Sequence, residues 1–558
     1  MHVSRVRERL VVVLAALGAS TLLLVPLANA ATPGERNGLP LGPADLTEQR
    51  STEQLAPGVT LTQITRGAAD PGDVWTVTGA WEDSLPAANA DAARLDLAGH
   101  PAHVVAVTQR APDDPLSGAL GYAVRVGAFA SQSAAVDEQR KVVALGFSGT
   151  SVDFTGEDGD ATTGPWAVDV LRIDRSRFTG TLKNVLAGST ISAGKDTVSH
   201  IAARSGALAA TNGGYFVVGP NDGTPGDPAG ISIVDGTLVA EAVNGRTALF
   251  LEPHRDRGDR LASVLSGVRT DLRVAAADGA HHVVDGLDRV PGLIRACGRP
   301  GARPTEAPKH DFTCTDPDEL IGYKAAFGAS TPAGPGQEAV LDARGRVSAL
   351  RLRGGSIPTT GMVLAGTGTS ADWLAAHAQP GTRLRYREVV TAGEDRLDLE
   401  SGLGAVNGGP RLLSHGDPAI DACAEGFCYA ETGRFYWRFG VRRNPRTLAG
   451  VTARGDLLLV AVDGHEPGHS MGLSFTESAS VLRALGASEA LNLDGGGSTT
   501  LTRGARVVNI PSDATGERPV GDALLVLANS FTRNVDSSDD TQVVRDACQT
   551  CDESAAIR

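Results

Sequence analysis

Two short apolar runs, each ending in aspartate and glycine, decide the fold of the second half of this chain of 558 residues. They read LLLVAVDG at residues 457–464 and ALNLDGGGST at residues 490–499. Continuous apolar runs of this length are typical of buried strands. Between them, a Ser-x-x-Glu capping box at Ser474 predicts a helix. The order strand, helix, strand predicts that Asp463 and Asp494 end two neighbouring strands, with both carboxylates at one rim of a sheet.

The bend after Asp494 has the composition of a binding site. Three consecutive residues lack side chains, namely Gly495, Gly496 and Gly497. A ligand can therefore approach the backbone, and successive N–H groups can form an anion-binding nest. Ser498 and Thr499 add two hydroxyl groups. A flexible turn is the alternative, whereas a P-loop is excluded because no lysine follows the glycines.

Two other stretches share this mixture of asparagine and glycine. They read TNGGYF at residues 211–216 and NGGP at residues 407–410. Asn-Gly is also a common hairpin turn, so each stretch alone leaves the choice between turn and site open. We predict that a bound phosphate or sugar is contacted by Asn212, Gly213, Gly214 and Asn407, together with Arg446 and Arg518.

Paired carboxylates, amide donors and arginines suit the cleavage of a sugar–phosphate bond, because donors hold the phosphate while a carboxylate acts at the anomeric carbon. We predict catalysis by Asp494 as nucleophile or general base, by Asp463 as its partner or as a cation ligand, and by Arg446. No cofactor is identified with certainty, and a divalent cation is left open. His465 and His469 have metal-ligand spacing, but the Pro-Gly pair between them opposes a helix and favours solvated loop histidines.

Residues 72–157 carry a pattern of their own. Alternating segments and helical segments follow one another twice, which predicts a small ferredoxin-like βαββαβ module. The sequence VRVGAF at residues 124–129 resembles the strand that marks SPOR domains, which bind peptidoglycan glycan strands. A ferredoxin-like module without a ligand is the alternative.

The N-terminus predicts export. Three arginines precede an apolar run over residues 10–27, and ANA at residues 28–30 supplies a cleavage site for a signal peptide of residues 1–30. A membrane anchor is the alternative. After cleavage we expect no membrane association and a secreted or cell-wall-associated protein.

The cysteines agree with export. Six of them fall into local pairs, and we favour disulfides between nearest neighbours: Cys297 with Cys314, Cys423 with Cys428, and Cys548 with Cys551. Six cysteines allow other pairings, and the last pair also has the spacing of zinc ligands.

Composition excludes one class of partner and marks the chain boundaries. The net charge is −14, and no basic block is present, so nucleic-acid binding is not expected. Residues 31–71 are polar and rich in Pro and Gly, which predicts a linker, and residues 529–558 predict a polar tail.

Six motifs in order resemble the phosphodiester glycosidase family, which is related to the lysosomal uncovering enzyme. They are TNGGYF (211–216), NGGP (407–410), NPRT (444–447), VDG (462–464), LNLDGGGST (491–499) and ERPV (517–520). The resemblance implies a large mixed α+β catalytic domain over residues 165–528. It also implies site roles for Asn212, Arg446, Asp463, Asp494, Gly495, Gly496, Ser498, Thr499 and Arg518.

The function implied is that of an exported glycosidase. It would hydrolyse a sugar-1-phosphodiester of the N-acetylglucosamine type in cell-wall or extracellular glycans, and the SPOR-like module would deliver it to peptidoglycan. Two alternatives stay open from the sequence. One is a non-catalytic protein that binds wall glycopolymers, and the other is a phosphodiesterase that cleaves the other P–O bond.

Overall fold

The computed structural model describes residues 38–253 and 260–529. From Pro40 onward the chain forms one compact unit. The predicted signal peptide, nearly all of the predicted tail, and Cys548 with Cys551 lie outside the described residues. Within the described ranges, no helix is long and apolar enough to cross a membrane.

The first elements in chain order are a hairpin and an alternating strand–helix module: β1 Glu48–Ala56, β2 Val59–Arg66, β3 Trp75–Glu82, α1 Leu85–Leu97, β4 Ala102–Val107, β5 Gly121–Phe129, α2 Gln132–Ala144 and β6 Ser151–Phe154. Strands β3 to β6 form an antiparallel sheet in the order β4-β5-β3-β6. The two helices pack on this sheet through small and aliphatic side chains such as Ala88, Leu95, Ala135 and Val142. This is the predicted ferredoxin-like βαββαβ arrangement.

The large domain begins with β7 Trp166–Ile173, β8 Thr181–Leu186, α3 Val198–Ser205, β9 Ala209–Asn212, β10 Ser232–Val234, β11 Thr237–Ala240, β12 Arg246–Leu251, β13 Ala262–Ala276, β14 His281–Val283, β15 Gly286–Leu287, β16 Leu293–Cys297, β17 Lys309–Thr315 and β18 Leu320–Tyr323. It continues with β19 Gln337–Leu341, β20 Val347–Leu352, β21 Met362–Gly366, α4 Gly368–His377, β22 Leu384–Ala392, β23 Asp395–Leu397, β24 Gly404–Asn407, β25 Arg411–Ser414 and β26 Asp417–Pro418. It ends with α5 Arg434–Tyr436, β27 Arg446–Thr452, β28 Leu457–Val462, α6 Phe475–Ala484, β29 Ala487–Asn492, β30 Leu501–Arg503, β31 Arg506–Val507 and β32 Asp522–Leu527.

Three sheets of the large domain surround a common core. The first has the order β1-β2-β7-β28-β27-β29-β25-β26, the second β11-β10-β24-β12-β13-β22-β23 with β14 beside β13, and the third β31-β30-β9-β32-β8. All three contribute to one buried apolar cluster that includes Leu459, Leu491, Leu249, Val406, Ala209 and Leu524. A smaller sheet, β15-β18-β21-β19-β20, and the hairpin β16-β17 complete the domain. The α+β class predicted from the sequence is confirmed.

The segment predicted as a linker contains the β1–β2 hairpin instead. β2 pairs with β7 along Val59–Arg66, and both Val59 and Leu61 are buried against the large domain. The hairpin escapes the sequence pattern because most of β1 is polar and exposed, so that only one of its two strands alternates.

The strands that carry Asp463 and Asp494 are not neighbours. β28 and β29 lie on opposite sides of β27, and both run antiparallel to it. They therefore point in the same direction, and both aspartates leave the sheet at one rim, as predicted. Because β27 lies between β28 and β29, two strand spacings of about 5 Å each separate the strands that carry the aspartates.

Two local predictions in the large domain are confirmed. The capping box joins Ser474 and Glu477 at the start of α6. The disulfides Cys297–Cys314 and Cys423–Cys428 are both formed, between nearest neighbours as favoured.

Candidate active site

The triple-glycine bend leads from the first sheet to the third. Asp494 follows β29, residues 496–498 make one 3₁₀ turn, and β30 then pairs with β9. The pairing of β9 with β32 brings a third segment to the same place. The bend is therefore framed by strands that are distant in sequence.

Asn212, at the end of β9, holds this bend from inside. Its Nδ2 donates to the carbonyl of Asp494 at 2.8 Å, and its Oδ1 accepts from Thr447 Oγ1 at 2.7 Å and from the Thr500 amide at 3.1 Å. The residue is 1% exposed. The side chain of Asn212 is thus bonded to the bend and its neighbours, and the predicted contact with phosphate or sugar stays a prediction.

Asn407 is used in the same way. Its Oδ1 accepts from the Tyr215 amide at 2.9 Å, and its Nδ2 donates to the Tyr215 carbonyl at 3.1 Å. A Cβ at Gly214 would collide with Asn407. The second asparagine–glycine stretch therefore clamps the first, and Asn407 is buried behind the predicted site rather than facing it.

Asp522, the first residue of β32, is a carboxylate that the sequence prediction missed. It is 2% exposed, and its Oδ1 accepts from the Gly214 amide at 2.9 Å. Only a glycine fits at Gly213, because a Cβ there would collide with this carboxylate. Its Oδ2 has no hydrogen-bond partner among the described residues. An aspartate directly before the apolar run of β32 was the available signal.

Asp494 and Asp522 form an electrostatically coupled pair. Burial raises the pKa of Asp494 to about 6, although the Ser498 hydroxyl, the charge of Arg518 and the Gly495 amide oppose the shift. Burial raises the pKa of Asp522 to about 7, and the negative charge of Asp494 adds to this. Asp494 itself is only half-buried, so one of the two carboxylates can reach a ligand.

The three glycines serve three different purposes, and two of their amides are occupied by the protein itself. The Gly495 amide donates to Asp494 Oδ1 at 2.9 Å, and the Gly496 amide donates to the Pro445 carbonyl at 2.9 Å. Gly496 has a φ of 59°, which favours glycine. At Gly497 a Cβ would collide with the guanidinium of Arg518. The anion contacts predicted for the amides of Gly495 and Gly496 would therefore require these hydrogen bonds to be exchanged.

Side-chain donors also lie at the bend: Arg518, and the hydroxyl groups of Ser498 and Thr499 that follow the glycines. Arg518 is partly exposed and is held by Asp513 through two hydrogen bonds of 2.7 and 2.8 Å. The hydroxyl oxygens of Ser498 and Thr499 are both buried. The Ser498 hydroxyl interacts with the Asp494 carboxylate, whereas the Thr499 hydroxyl has no hydrogen-bond partner in the part of the chain that the structure describes. Buried polar groups are rarely left unpaired, so the Thr499 hydroxyl is a candidate ligand contact.

Asp463 belongs to a separate network at the same rim. Its Oδ2 pairs with His469 Nε2 at 2.8 Å, and its Oδ1 accepts from Asn509 Nδ2 at 3.2 Å and from the Ile510 amide at 2.9 Å. Asn509 also donates to the Thr499 carbonyl at 3.0 Å. Asp463 therefore acts on the bend through Asn509, and the structure shows no contact between it and Asp494.

Arg446 is buried at 1% exposure, and its partners are backbone carbonyls and aromatic rings. It donates to the carbonyls of Leu473 and Phe439, and its guanidinium lies 4.4 Å from the centre of the Phe475 ring. Burial lowers its pKa to about 10. Arg446 therefore has partners within the protein, and its contact with substrate stays a prediction.

An aromatic cluster that the sequence prediction missed lies beside this arginine. The imidazole of His310 packs 4.1 Å from Tyr215 and 4.5 Å from Phe427, measured between ring centres. Burial holds the pKa of His310 well below its usual value, so the ring is neutral. His310 comes from the Pro-rich segment of residues 297–335.

The side chains near the site do not form a ligand set for a metal ion in the part of the chain described. Among the described residues, no group of three or more His, Cys, Asp or Glu side chains is arranged to hold one. Asp463, the predicted cation ligand, has both carboxylate oxygens engaged by nitrogen groups.

The raised pKa values predict that stability falls as pH rises through neutrality. The pKa is about 7 for Asp169, Asp285 and Asp522, so the folded protein holds protons that the unfolded chain has released. Stability therefore falls as pH rises from the carboxyl pKa of the unfolded chain, about 4, until the folded-state pKa of about 7 has been passed. Each contributes a loss of about 1 kcal/mol between pH 6.5 and 8. Chemical denaturation at the two pH values measures the sum.

Asp522→Asn is the variant that isolates one contribution. It is expected to reduce the pH-dependent loss by about 1 kcal/mol. Asp137→Asn, at an exposed position of α2, is the matched control and should leave the slope unchanged. An unaltered slope in the Asp522 variant would show that this carboxyl ionises normally.

Comparison with known proteins gives one family and one close structural relative. Residues 337–527 match the model of the phosphodiester glycosidase family. The crystal structure of a Burkholderia pseudomallei K96243 protein predicted to be exported is 39% identical, with a TM-score of 0.81, over 89% of this chain and 99% of that chain. No curated protein matches.

Two further solved structures are more distant. A hypothetical protein of Synechocystis is 18% identical, with a TM-score of 0.50, over 86% of this chain and 76% of its own, which concerns the fold alone. The catalytic domain of zebrafish N-acetylglucosamine-1-phosphodiester alpha-N-acetylglucosaminidase, auto-inhibited by its pro-peptide, is 17% identical, with a TM-score of 0.32, over 66% of this chain and 80% of its own.

The comparisons support the predicted export of the protein but do not extend to the module of residues 72–157. The two disulfides and the exported relative are consistent with an extracellular location. The family match does not reach residues 72–157, so the SPOR-like character of the module and its binding of peptidoglycan stay predictions. The chain belongs to the same family as this Burkholderia protein, and its residues 337–527 match the phosphodiester glycosidase family model.

Proposed function

We propose that this protein is a hydrolase of sugar-1-phosphodiesters, of the N-acetylglucosamine type, and that Asp494 acts at the anomeric carbon. The observation that carries the proposal is the half-buried carboxylate of Asp494, whose pKa is about 6 and on which the Ser498 hydroxyl and the Arg518 guanidinium both act. The phosphodiester glycosidase match includes Asp494, Asp522 and Arg518.

The reaction needs one ionised carboxylate next to the sugar. Above pH 6 Asp494 is mainly ionised, so it can attack the anomeric carbon or take a proton from an attacking water. The bond between the anomeric carbon and the phosphate oxygen breaks, and the electron pair leaves with the phosphate. Water supplies the hydroxyl of the free sugar, and the rest of the substrate leaves as a phosphate monoester. Such a leaving group needs little protonation.

The remaining residues divide into those that contact the substrate and those that position the bend. Arg518, Ser498 and Thr499 are proposed to hold the phosphate or the sugar, since their polar groups border Asp494. Asn212, at the end of β9, and Asp522 are proposed as positioning residues, because both bind the backbone of the site.

Hydrolysis in water enriched in oxygen-18 tests the reaction class. With a methyl diester of N-acetylglucosamine 1-phosphate, the proposal predicts labelled free sugar and unlabelled methyl phosphate. Labelled N-acetylglucosamine 1-phosphate would instead identify a phosphodiesterase. If teichoic-type polymer sediments the protein while no product of any kind forms, the protein is a binding protein and the proposal fails.

A further inference from the structure

We infer that a cleft between the module and the large domain binds the part of the substrate beyond the scissile phosphate, as a chain of sugar units that carries further phosphates. This interdomain cleft has a volume of about 670 Å³, and Trp75, Phe154, Tyr429, Phe435, Arg434 and Arg438 are among its lining residues. The volume lies in the usual range of ligand sites. The inference rests on the proposed function, because it extends the substrate of that same site.

Aromatic rings line the cleft from both domains. On the large-domain side, the rings of Tyr429 and Phe435 stack in parallel with centres 4.3 Å apart. On the module side, Trp75 and Phe154 pack with centres 5.2 Å apart. Trp75, Tyr429 and Phe435 are only half-buried. Such rings offer apolar faces beside polar groups, which suits the C–H faces of sugar rings.

The carboxylates that line the cleft are paired with arginines other than Arg434, whose guanidinium is therefore available to an anion. The acidic groups on the module side are occupied, because Asp153 pairs with the buried Arg125 and Glu157 pairs with the buried Arg442. Asp311 pairs with Arg295.

Among the arginines that line the cleft, Arg434 has no carboxylate partner in the described part of the chain. It lies within ion-pair distance of no carboxylate among the described residues, although it donates to the Gly149 carbonyl. Arg438 is 43% exposed; it donates to Ser151 Oγ at 2.8 Å and lies 3.5 Å from Asp153. Arginine forks bind phosphate well, so rings and guanidinium groups in one cleft match a polymer in which sugars and phosphates alternate.

The cleft begins beside the triple-glycine bend. Asn444, which lines it, directly precedes Pro445, whose carbonyl accepts from the Gly496 amide at 2.9 Å. Asp311 also lines the cleft, and its charge acts on Asp494. A substrate whose anomeric carbon lies at Asp494 can therefore extend into the cleft.

The test compares a short with a long substrate. The short one is the methyl diester of N-acetylglucosamine 1-phosphate, and the long one is a trimer of N-acetylglucosamine joined by phosphodiesters. Phe435→Ala and Arg434→Gln are expected to lower kcat/KM for the trimer by 10- to 100-fold and for the methyl diester by less than threefold. Trp373→Ala, a half-buried aromatic residue on α4 outside the cleft, is the control and should change neither value.

Equal losses on both substrates, or no loss on the trimer, would overturn the inference. If the wild type cleaves neither substrate, the proposed function fails on its own. Calorimetric titration of the trimer into the Asp494→Asn protein then tests the cleft separately. Binding at least 10-fold weaker after the added Phe435→Ala or Arg434→Gln change supports the cleft, whereas unchanged or absent binding rejects it.

Discussion

Replacing Asp494 with Asn is expected to lower kcat for sugar release from a methyl diester of N-acetylglucosamine 1-phosphate by about 10³-fold, the effect of losing a carboxylate that attacks or accepts a proton. The shape of the side chain is retained, and the Gly495 amide can still donate to the amide oxygen of Asn. Removing a buried negative charge also relieves the repulsion with Asp522. The variant is therefore expected to fold normally and to be no less stable than the wild type at pH 8.

The matched control is Asp463→Asn, which changes the other aspartate at the same rim. Its carboxylate contacts His469, Asn509 and the Ile510 amide, so the change disturbs the bend only through Asn509. A loss of about 10-fold is expected, in line with one weakened supporting hydrogen bond. Should Asp463→Asn lose as much activity as Asp494→Asn while both remain folded, the roles assigned to the two aspartates would have to be exchanged.

The fold was predictable where a single segment carries its own pattern. The capping box at Ser474 and the alternating strands of the module depend on neighbouring residues, and both are present. The order of strands in a sheet depends on pairing across the chain. Nothing local indicates that β27 separates β28 from β29, or that the polar strand β1 extends the same sheet.

The candidate site was predictable in place but less so in role. The glycine-rich motifs do converge: Asn212 donates to the carbonyl of Asp494, and Asn407 donates to the carbonyl of Tyr215. For the same reason they are buried, and a sequence cannot tell an amide that binds a ligand from one that binds the backbone. Asp522 was missed because it starts a strand, where a polar residue has no periodicity to violate.

Asn212→Ala is expected to reduce both stability and activity, for one structural reason. The change removes the acceptor for Thr447 Oγ1 and the Thr500 amide, and the donor to the Asp494 carbonyl, all in a buried place. Each buried polar group left unpaired costs about 1–3 kcal/mol, so we expect a loss of about 3 kcal/mol in the free energy of unfolding. Activity on the methyl diester should fall about 100-fold, because a carboxylate displaced by an ångström loses its alignment.

A second buried asparagine separates these two effects. Asn184 is 2% exposed, and its Nδ2 donates to the Ala405 carbonyl at 2.8 Å, between the second and third sheets. Asn184→Ala should therefore cost comparable stability in denaturant unfolding yet keep activity within about threefold at a temperature where both variants are folded. The position of the bend, and not stability in general, then accounts for the loss in Asn212→Ala. Equal activities in the two variants would mean that the link from Asn212 to the Asp494 carbonyl does not position the carboxylate, and that another contact must hold it.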